Sequence, residues 1–175
     1  MDYFIMHQDA RVTNCVNLIP GPMNLRTLSR EQITSIPTTK IIYVQEDSQN
    51  EYPDYLESEG MLVSEKLKRI MSKYQQNAVF KTIVLIEKKK NRQEIYYLVS
   101  PPRIECSSPD TVYDKQGNVR SFVMDTDKVG HARIFCAAGR ANRIFVRLDV
   151  AESILRRSPF GVSFEKVLTV SKEDF

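Results

Sequence analysis

Apolar residues recur at helical spacing most clearly between residues 64 and 74. Leu67, Ile70, Met71 and Tyr74 stand at i, i+3, i+4 and i+7, which places them in one stripe along a helix. Ser64 precedes the stripe and can accept a hydrogen bond from a free amide of the first turn. The pattern therefore predicts a helix that begins after Ser64 and buries one face.

A second, shorter helix is predicted after residue 148. Asp149 is its expected cap, and Glu152 follows three positions later, as in a capping box. Ala151, Ile154 and Leu155 give this helix its apolar face.

Runs rich in β-branched and aromatic residues predict eight strands. They are Tyr3–Met6, Lys40–Val44, Val79–Glu87, Glu94–Val99, Val119–Asp125, Ala132–Ala137, Arg143–Leu148 and Val162–Val170. Polar turns at Lys88–Arg92 and Gly139–Asn142 join two pairs of them. Because tight turns join antiparallel strands, the expected fold class is α+β, with antiparallel sheets and a few short helices.

The two predicted helix–strand units match each other at an offset of 84 residues. Leu67 and Ile70 fall on Ala151 and Ile154, and Phe80 falls on Phe164 in the strand that follows. The match predicts two similar halves related by an internal repeat. With 175 residues, the chain is expected to form a single domain over 1–175, and a division into 1–102 and 103–175 is the alternative.

Charge is unevenly distributed along the chain, although the net charge is only +3. Residues 46–59 carry six acids and no base, whereas residues 60–102 carry nine bases and three acids. The small net charge argues against a generic nucleic-acid-binding protein. Either the two runs are ordinary solvated faces, or one of them meets a charged protein partner.

The chain begins without the features of a signal peptide, and its apolar runs are too short to span a bilayer. Its three cysteines, Cys15, Cys106 and Cys136, are widely spaced and odd in number, which is not typical of a disulfide framework. We therefore expect a cytoplasmic protein without membrane contact, whose cysteines act as small buried apolar residues.

Residues that could carry chemistry are few. His131 and Cys136 are five positions apart, so a strand would direct them to opposite faces. Asp125 and Asp127 could act as an acid–base pair or bind a metal, but such a pair more often ends a strand and starts a turn, with Lys128 balancing the charge. The sequence thus predicts no catalytic residue, no metal site and no cofactor.

Several short motifs resemble an immunity-protein family of bacterial polymorphic toxin systems, formerly classed as a domain of unknown function. Pro53–Leu56 and the segment Leu62–Met71 are similar to its P-D-[FY]-L and V-S-E-[RK]-L elements. Tyr96–Pro101 resembles its tyrosine-rich strand before a proline, and Gly161–Phe164 its closing G-x-x-F element. The resemblance extends in order over roughly residues 50–170.

The resemblance implies a non-enzymatic protein that binds and neutralises a cognate toxin. It implies structural roles for Ser64 as a helix cap and for Leu67, Met71 and Phe164 in the core. The acidic run is the expected contact for a basic toxin. Its members are Glu46, Asp47, Glu51, Asp54, Glu57 and Glu59.

Two other functions stay open on the sequence alone. The basic residues between 66 and 92 could serve a nucleic-acid-binding regulator, whose affinity would fall steeply with salt. The residues Asp125, Asp127 and His131 could serve a small hydrolase, which requires them to line a common pocket.

Overall fold

A computed structural model describes residues 1–139 and 143–171 of the chain. Four helices form in this part: α1 (Arg30–Ser35), α2 (Glu65–Tyr74), α3 (Thr126–Val129) and α4 (Leu148–Leu155). The strands that precede α3 are β1 (Tyr3–Gln8), β2 (Thr39–Tyr43), β3 (Tyr55–Leu56), β4 (Leu62–Ser64), β5 (Val79–Glu87), β6 (Arg92–Ser100), β7 (Arg103–Ile104), β8 (Val112–Tyr113), β9 (Val119–Ser121) and β10 (Val123–Asp125). Those that follow it are β11 (Ile134–Ala137), β12 (Ile144–Arg147), β13 (Val162–Lys166) and β14 (Leu168–Val170).

Most strands belong to two five-stranded sheets. The first sheet has the order β13-β1-β12-β11-β7, and the second has the order β2-β5-β6-β4-β3. Pairing is antiparallel inside both sheets, except that the edge strands β7 and β2 run parallel to their neighbours. The predicted α+β fold class, with antiparallel sheets and short helices, is confirmed.

Four strands of each sheet share one arrangement, which the 84-residue offset anticipates, whereas the edge strands β2 and β7 have no counterpart. The succession β3-β4-α2-β5 in the second sheet corresponds to β11-β12-α4-β13 in the first. The place of β6 is taken in the first sheet by β1, which lies between β12 and β13 just as β6 lies between β4 and β5. The N-terminal strand thus completes the sheet that the C-terminal half builds.

The core of the molecule lies between the two sheets, where α2 packs against α4. Leu67, Ile70 and Met71 of α2 are buried there with Val150 and Ile154 of α4. Phe164 is half-buried and packs against this cluster. A second cluster lies under α1 on the other face of the second sheet, and a third lies on the other face of the first sheet around the stacked rings of Phe135 and Phe145.

Helix α2 forms as its sequence predicts. The Ser64 hydroxyl accepts a hydrogen bond from the Leu67 amide, and Arg69 donates to Glu65 one turn earlier at 2.8 Å. These interactions satisfy the first turn and support the exposed face, while the apolar stripe faces the core.

The predicted start of the second helix is wrong in detail. Helix α4 begins after Arg147, which makes no side-chain capping bond, and the Asp149 carboxylate instead pairs with the Arg147 guanidinium at 2.6 Å. Val150 takes the buried position next to Ala151, and Leu155 is exposed rather than buried. Asp149 is the second residue of the helix, too far along to act as its N-cap, and its carboxylate therefore pairs with Arg147.

The other element predictions differ from the structure mainly at boundaries and irregularities. The predicted strands 119–125 and 162–170 are each divided in two, at Phe122 and at Val167, whose side chains pack onto the third cluster. Helix α1 was not predicted, although Ser29 and Gln32 form a complete capping box at its start. Of the predicted turn at 139–142, residues 140–142 lie outside the described residues.

Candidate partner-binding surface

The motifs of the family resemblance meet at one polar network centred on Asp54. This carboxylate is 8% exposed and accepts hydrogen bonds from the Ser64 hydroxyl at 2.5 Å, the Phe160 amide at 2.7 Å and the Lys66 ammonium at 3.1 Å. Ser64 and Lys66 begin α2, whereas Phe160 precedes β13. One side chain therefore ties the first helix unit to the second.

Backbone bonds complete the same network. The Asp54 amide donates to the Phe160 carbonyl at 2.7 Å, and the Ser64 amide donates to the Asp54 carbonyl at 2.8 Å. The buried Tyr96 hydroxyl donates to the Pro53 carbonyl at 2.6 Å. Three motif elements thus meet in one junction with Phe160, which directly precedes the G-x-x-F element, and this identifies the motif as a feature of the scaffold.

Most of the six acidic residues predicted to contact the toxin form ion pairs within this molecule. Besides Asp54, Glu46 pairs with Lys89 at 3.1 Å, Glu57 with His7 at 3.2 Å and Glu59 with Arg26 at 3.8 Å. Glu46 and Asp47 are the exposed members of the run, and Glu51 is half-buried. The use of this run as a toxin contact stays a prediction.

The basic residues between 66 and 92 are also largely compensated. Five of the nine make ion pairs: Lys66 with Asp54, Arg69 with Glu65, Lys89 with Glu46, Lys90 with Glu87 and Arg92 with Glu94. Two of these pairs, at Asp54 and Glu46, join the basic run to the acidic run. The charge separation along the chain is therefore partly cancelled in space, and five of the nine basic residues already have a carboxylate partner with which a phosphate backbone would have to compete.

His7 links the two sheets through a pair of carboxylates. Its Nδ1 lies 3.2 Å from Glu57, which follows β3, and its Nε2 lies 3.1 Å from Glu165 of β13. The hydrogen bond to Glu57 is the largest cause that raises the pKa of His7 above its usual value. The protonated ring can donate to both carboxylates at once.

The raised pKa of His7 predicts that folding stability falls as pH rises. Its contribution is fully present below the unfolded-state pKa of about 6.5 and is lost as the pH passes through the higher folded-state pKa. We expect at most about 1 kcal/mol, because the pair is partly exposed. Urea unfolding between pH 5 and 9 should show this loss of stability in the unaltered protein and not in His7→Gln. The exposed residue His131 provides the control, and a loss of the pH dependence in His131→Gln as well would contradict the assignment to His7.

The residues considered for catalysis have different environments and no shared role in the structure. The Asp125 carboxylate accepts a hydrogen bond from the Asp127 amide and caps α3, with Lys128 3.6 Å away, as the turn interpretation predicts. His131 is exposed, whereas Cys136 is buried, and burial raises the pKa of the Cys136 thiol to about 12. Such a thiol is inert as a nucleophile. Within residues 1–139 and 143–171, no cluster of three or more His, Cys, Asp or Glu side chains is arranged to hold a metal ion.

A different part of the molecule presents an open apolar surface. Ile41, Val84 and Ile95 stand directly opposite one another on β2, β5 and β6, so their side chains form a row across one face of the second sheet. Ile41 is 58% exposed, Ile95 46% and the neighbouring Tyr43 43%, whereas Val84, flanked by Ile41 and Ile95, is only 9% exposed. We call these four residues the open face. Along β6, Tyr97 follows Ile95 on the same side of the sheet. From Tyr97 onward this side is covered by helix α2.

A groove of about 520 Å³ borders the open face at the edge of β2. One wall is β2 itself, including Ile41 and Tyr43, and the other is the proline-containing loop from Leu18 to Arg26. The Ile19 amide donates to the Tyr43 carbonyl at 2.9 Å, after which Pro20 and Pro22 lead the loop away from the strand. Exposed apolar surface therefore extends from the sheet face around its edge.

The open face was not predicted from the sequence. Its signal is the apolar run Ile41–Val44, because consecutive apolar residues in a strand indicate that both faces of the sheet require cover. Here one face is covered by α1 and its flanking loop, and the other is left uncovered.

Fold and surface together describe an α+β protein, with its polar network committed to the scaffold and apolar side chains exposed on one sheet face. The model of the immunity protein family Imm11 matches residues 5–169, and the chain belongs to that family. The suspected relationship to an immunity-protein family is thereby confirmed. A comparison with curated proteins gave no match. No helix in the described part of the chain has the length and apolar character needed to cross a membrane.

Proposed function

We propose that this protein binds a cognate bacterial toxin and neutralises it by occupying or distorting its working site, one molecule for each molecule of toxin. The match to the immunity protein family over residues 5–169 carries this proposal. A stoichiometric inhibitor requires a stable scaffold and a complementary surface, and it requires no nucleophile.

The placement of the reactive residues supports binding over catalysis. Of the residues considered for a small hydrolase, Asp125 accepts a hydrogen bond from the Asp127 amide as a helix cap and His131 lies on the surface, which favours structural roles for them. The three free cysteines fit a cytoplasmic site of action, where thiols are kept reduced.

Co-expression with the toxin encoded beside this gene tests the proposal. We expect the protein to restore growth of cells that produce the toxin and to co-purify with it in an equimolar complex. A matched strain should carry the same toxin with an unrelated protein of similar size and show no rescue. Failure of both rescue and complex formation would overturn the proposed function.

A further inference from the structure

We propose that the open face, formed by Ile41, Tyr43, Val84 and Ile95, is the surface that contacts the toxin, and that the matching toxin surface is apolar with carboxylates at its edge. This inference rests on the proposed function and assigns its contact site.

The sheet register carries the apolar part of the argument. Ile41 pairs with Val84, and Val84 pairs with Ile95, so three aliphatic side chains lie side by side on adjacent strands. Adjacent strands are about 4.8 Å apart, so Ile41 and Ile95 stand roughly 10 Å apart, with the largely buried Val84 side chain filling the space between them. Tyr43, two residues after Ile41 on the same face, extends this surface with an aromatic ring of the kind enriched at interfaces. Isolated exposed apolar residues are ordinary, but a row in register is typical of a contact site.

The charges around the open face specify the partner. Strands β2, β5 and β6 direct positions 39–43, 82–86 and 93–97, at every second residue, to the side of the open face. All of these side chains are uncharged. Two lysines border the face: the Lys68 ammonium lies 3.8 Å from the centre of the Tyr97 ring, and the Lys88 ammonium lies 4.3 Å from that of Tyr43. Within residues 1–139 and 143–171, neither lysine has a carboxylate within 4.0 Å. The cation–π contacts hold both positive charges at the rim, where a partner's carboxylates can meet them.

The same charges disfavour a second copy of this chain as the occupant. A symmetric dimer through this face would bring the lysines of one copy towards those of the other. The face itself offers no carboxylate to compensate them, so the contact would be repulsive. An acidic partner removes this repulsion, which is why we assign the face to the toxin.

A pair of double variants tests the apolar contact. Ile41→Glu with Ile95→Glu places two carboxylates in the row, and both side chains are exposed enough to tolerate the change. Val112→Glu with Tyr113→Glu is the matched control, because these exposed apolar residues lie in the separate β8–β9 hairpin. The dissociation constant for the purified neighbouring toxin should rise about 100-fold or more in the first variant and by less than about threefold in the control.

A second pair of variants tests the charges at the rim. Reversing Lys68 and Lys88 to glutamate should slow association with the toxin at least about tenfold at low salt, and the difference should shrink as salt is added. Reversing Asp47 and Glu51 to lysine serves as the comparison and also tests the acidic run as a contact. We expect this second variant to associate at least as fast as the unaltered protein; slower association would assign the contact to the acidic run.

The outcomes separate this inference from the proposed function. If the unaltered protein binds the toxin and the Ile41/Ile95 variant binds equally well, the assigned face is wrong and the proposed function stands. If the unaltered protein neither binds nor rescues, both fail. Sedimentation of the free protein tests the alternative occupant. If the unaltered protein is a dimer and the Ile41/Ile95 variant is a monomer, a second copy of the chain occupies the face and the assignment to the toxin is wrong. Thermal unfolding of each variant should match the unaltered protein.

Discussion

Replacing Asp54 with alanine should lower the free energy of unfolding by about 2–4 kcal/mol. The substitution removes the acceptor for the Ser64 hydroxyl, the Phe160 amide and the Lys66 ammonium together. Lys66 can return to water because it is partly exposed, whereas the Phe160 amide loses its partner at the junction of the two helix units. The helix cap is weakened as well, since Asp54 orients the Ser64 hydroxyl that caps α2. Urea unfolding at neutral pH measures the loss.

Two comparisons make the Asp54 prediction specific. Asp47→Ala removes an exposed carboxylate of the same acidic run and should change stability by less than about 0.5 kcal/mol. Asp54→Asn keeps one acceptor oxygen but presents an amide group to a donor, so its stability should fall between those of the unaltered protein and Asp54→Ala. Equal stability of Asp54→Ala and Asp47→Ala would contradict the structural role of the network.

Local patterns in the sequence were sufficient to predict α2 and the long hairpin of β5 and β6. The periodic spacing from Leu67 to Tyr74, the Ser64 cap and the polar turn at 88–92 all act within a few residues of the elements they define. Helix α1 has an equally local signal in Ser29 and Gln32. It was missed because Ile33 is its one buried residue, which is too little for a periodic stripe.

The arrangement of the sheets could be predicted only in part, because it depends on contacts between distant residues. The 84-residue offset pointed to two similar units, and the order of four strands corresponds between the two sheets. Nothing near Tyr3 in sequence indicates that β1 inserts between β12 and β13, which lie some 140 residues further along the chain. The same limitation applies to charge, since Glu46 and Lys89 are far apart in sequence and 3.1 Å apart in space.

The candidate site was the least predictable part, for a physical reason. The residues that carry the family resemblance, such as Asp54, Ser64 and Tyr96, are engaged in the junction between the two units. A motif of this kind identifies the scaffold and leaves the contact surface free to vary. The open face consists of ordinary strand residues, which become notable only when the register aligns Ile41, Val84 and Ile95.

Replacing Gly161 with alanine should lower the free energy of unfolding by about 2–5 kcal/mol, the largest effect expected among the glycine-to-alanine substitutions of this chain. Gly161 has a φ of +69°, a conformation that residues with a Cβ atom rarely adopt. An added Cβ would also overlap the Cβ of Pro53 and lie 3.2 Å from a methyl group of Val12. Pro53 cannot move away easily, because its carbonyl accepts the Tyr96 hydrogen bond and its neighbour Asp54 is bonded to Phe160. The glycine of the G-x-x-F element is thus required by the close approach of the P-D-Y-L element.

Gly117→Ala separates the two causes of this effect. Gly117 also has a positive φ, +83°, but an added Cβ there would meet nothing within 4 Å. Its substitution should therefore cost only the backbone strain, about 1–2 kcal/mol. The difference between the two variants measures the contact with Pro53, and Pro53→Ala should leave this difference unchanged because the overlapping atom is the Cβ that alanine retains. Equal losses at Gly161 and Gly117 in urea unfolding would show that the two motif elements do not pack as closely as the structure places them.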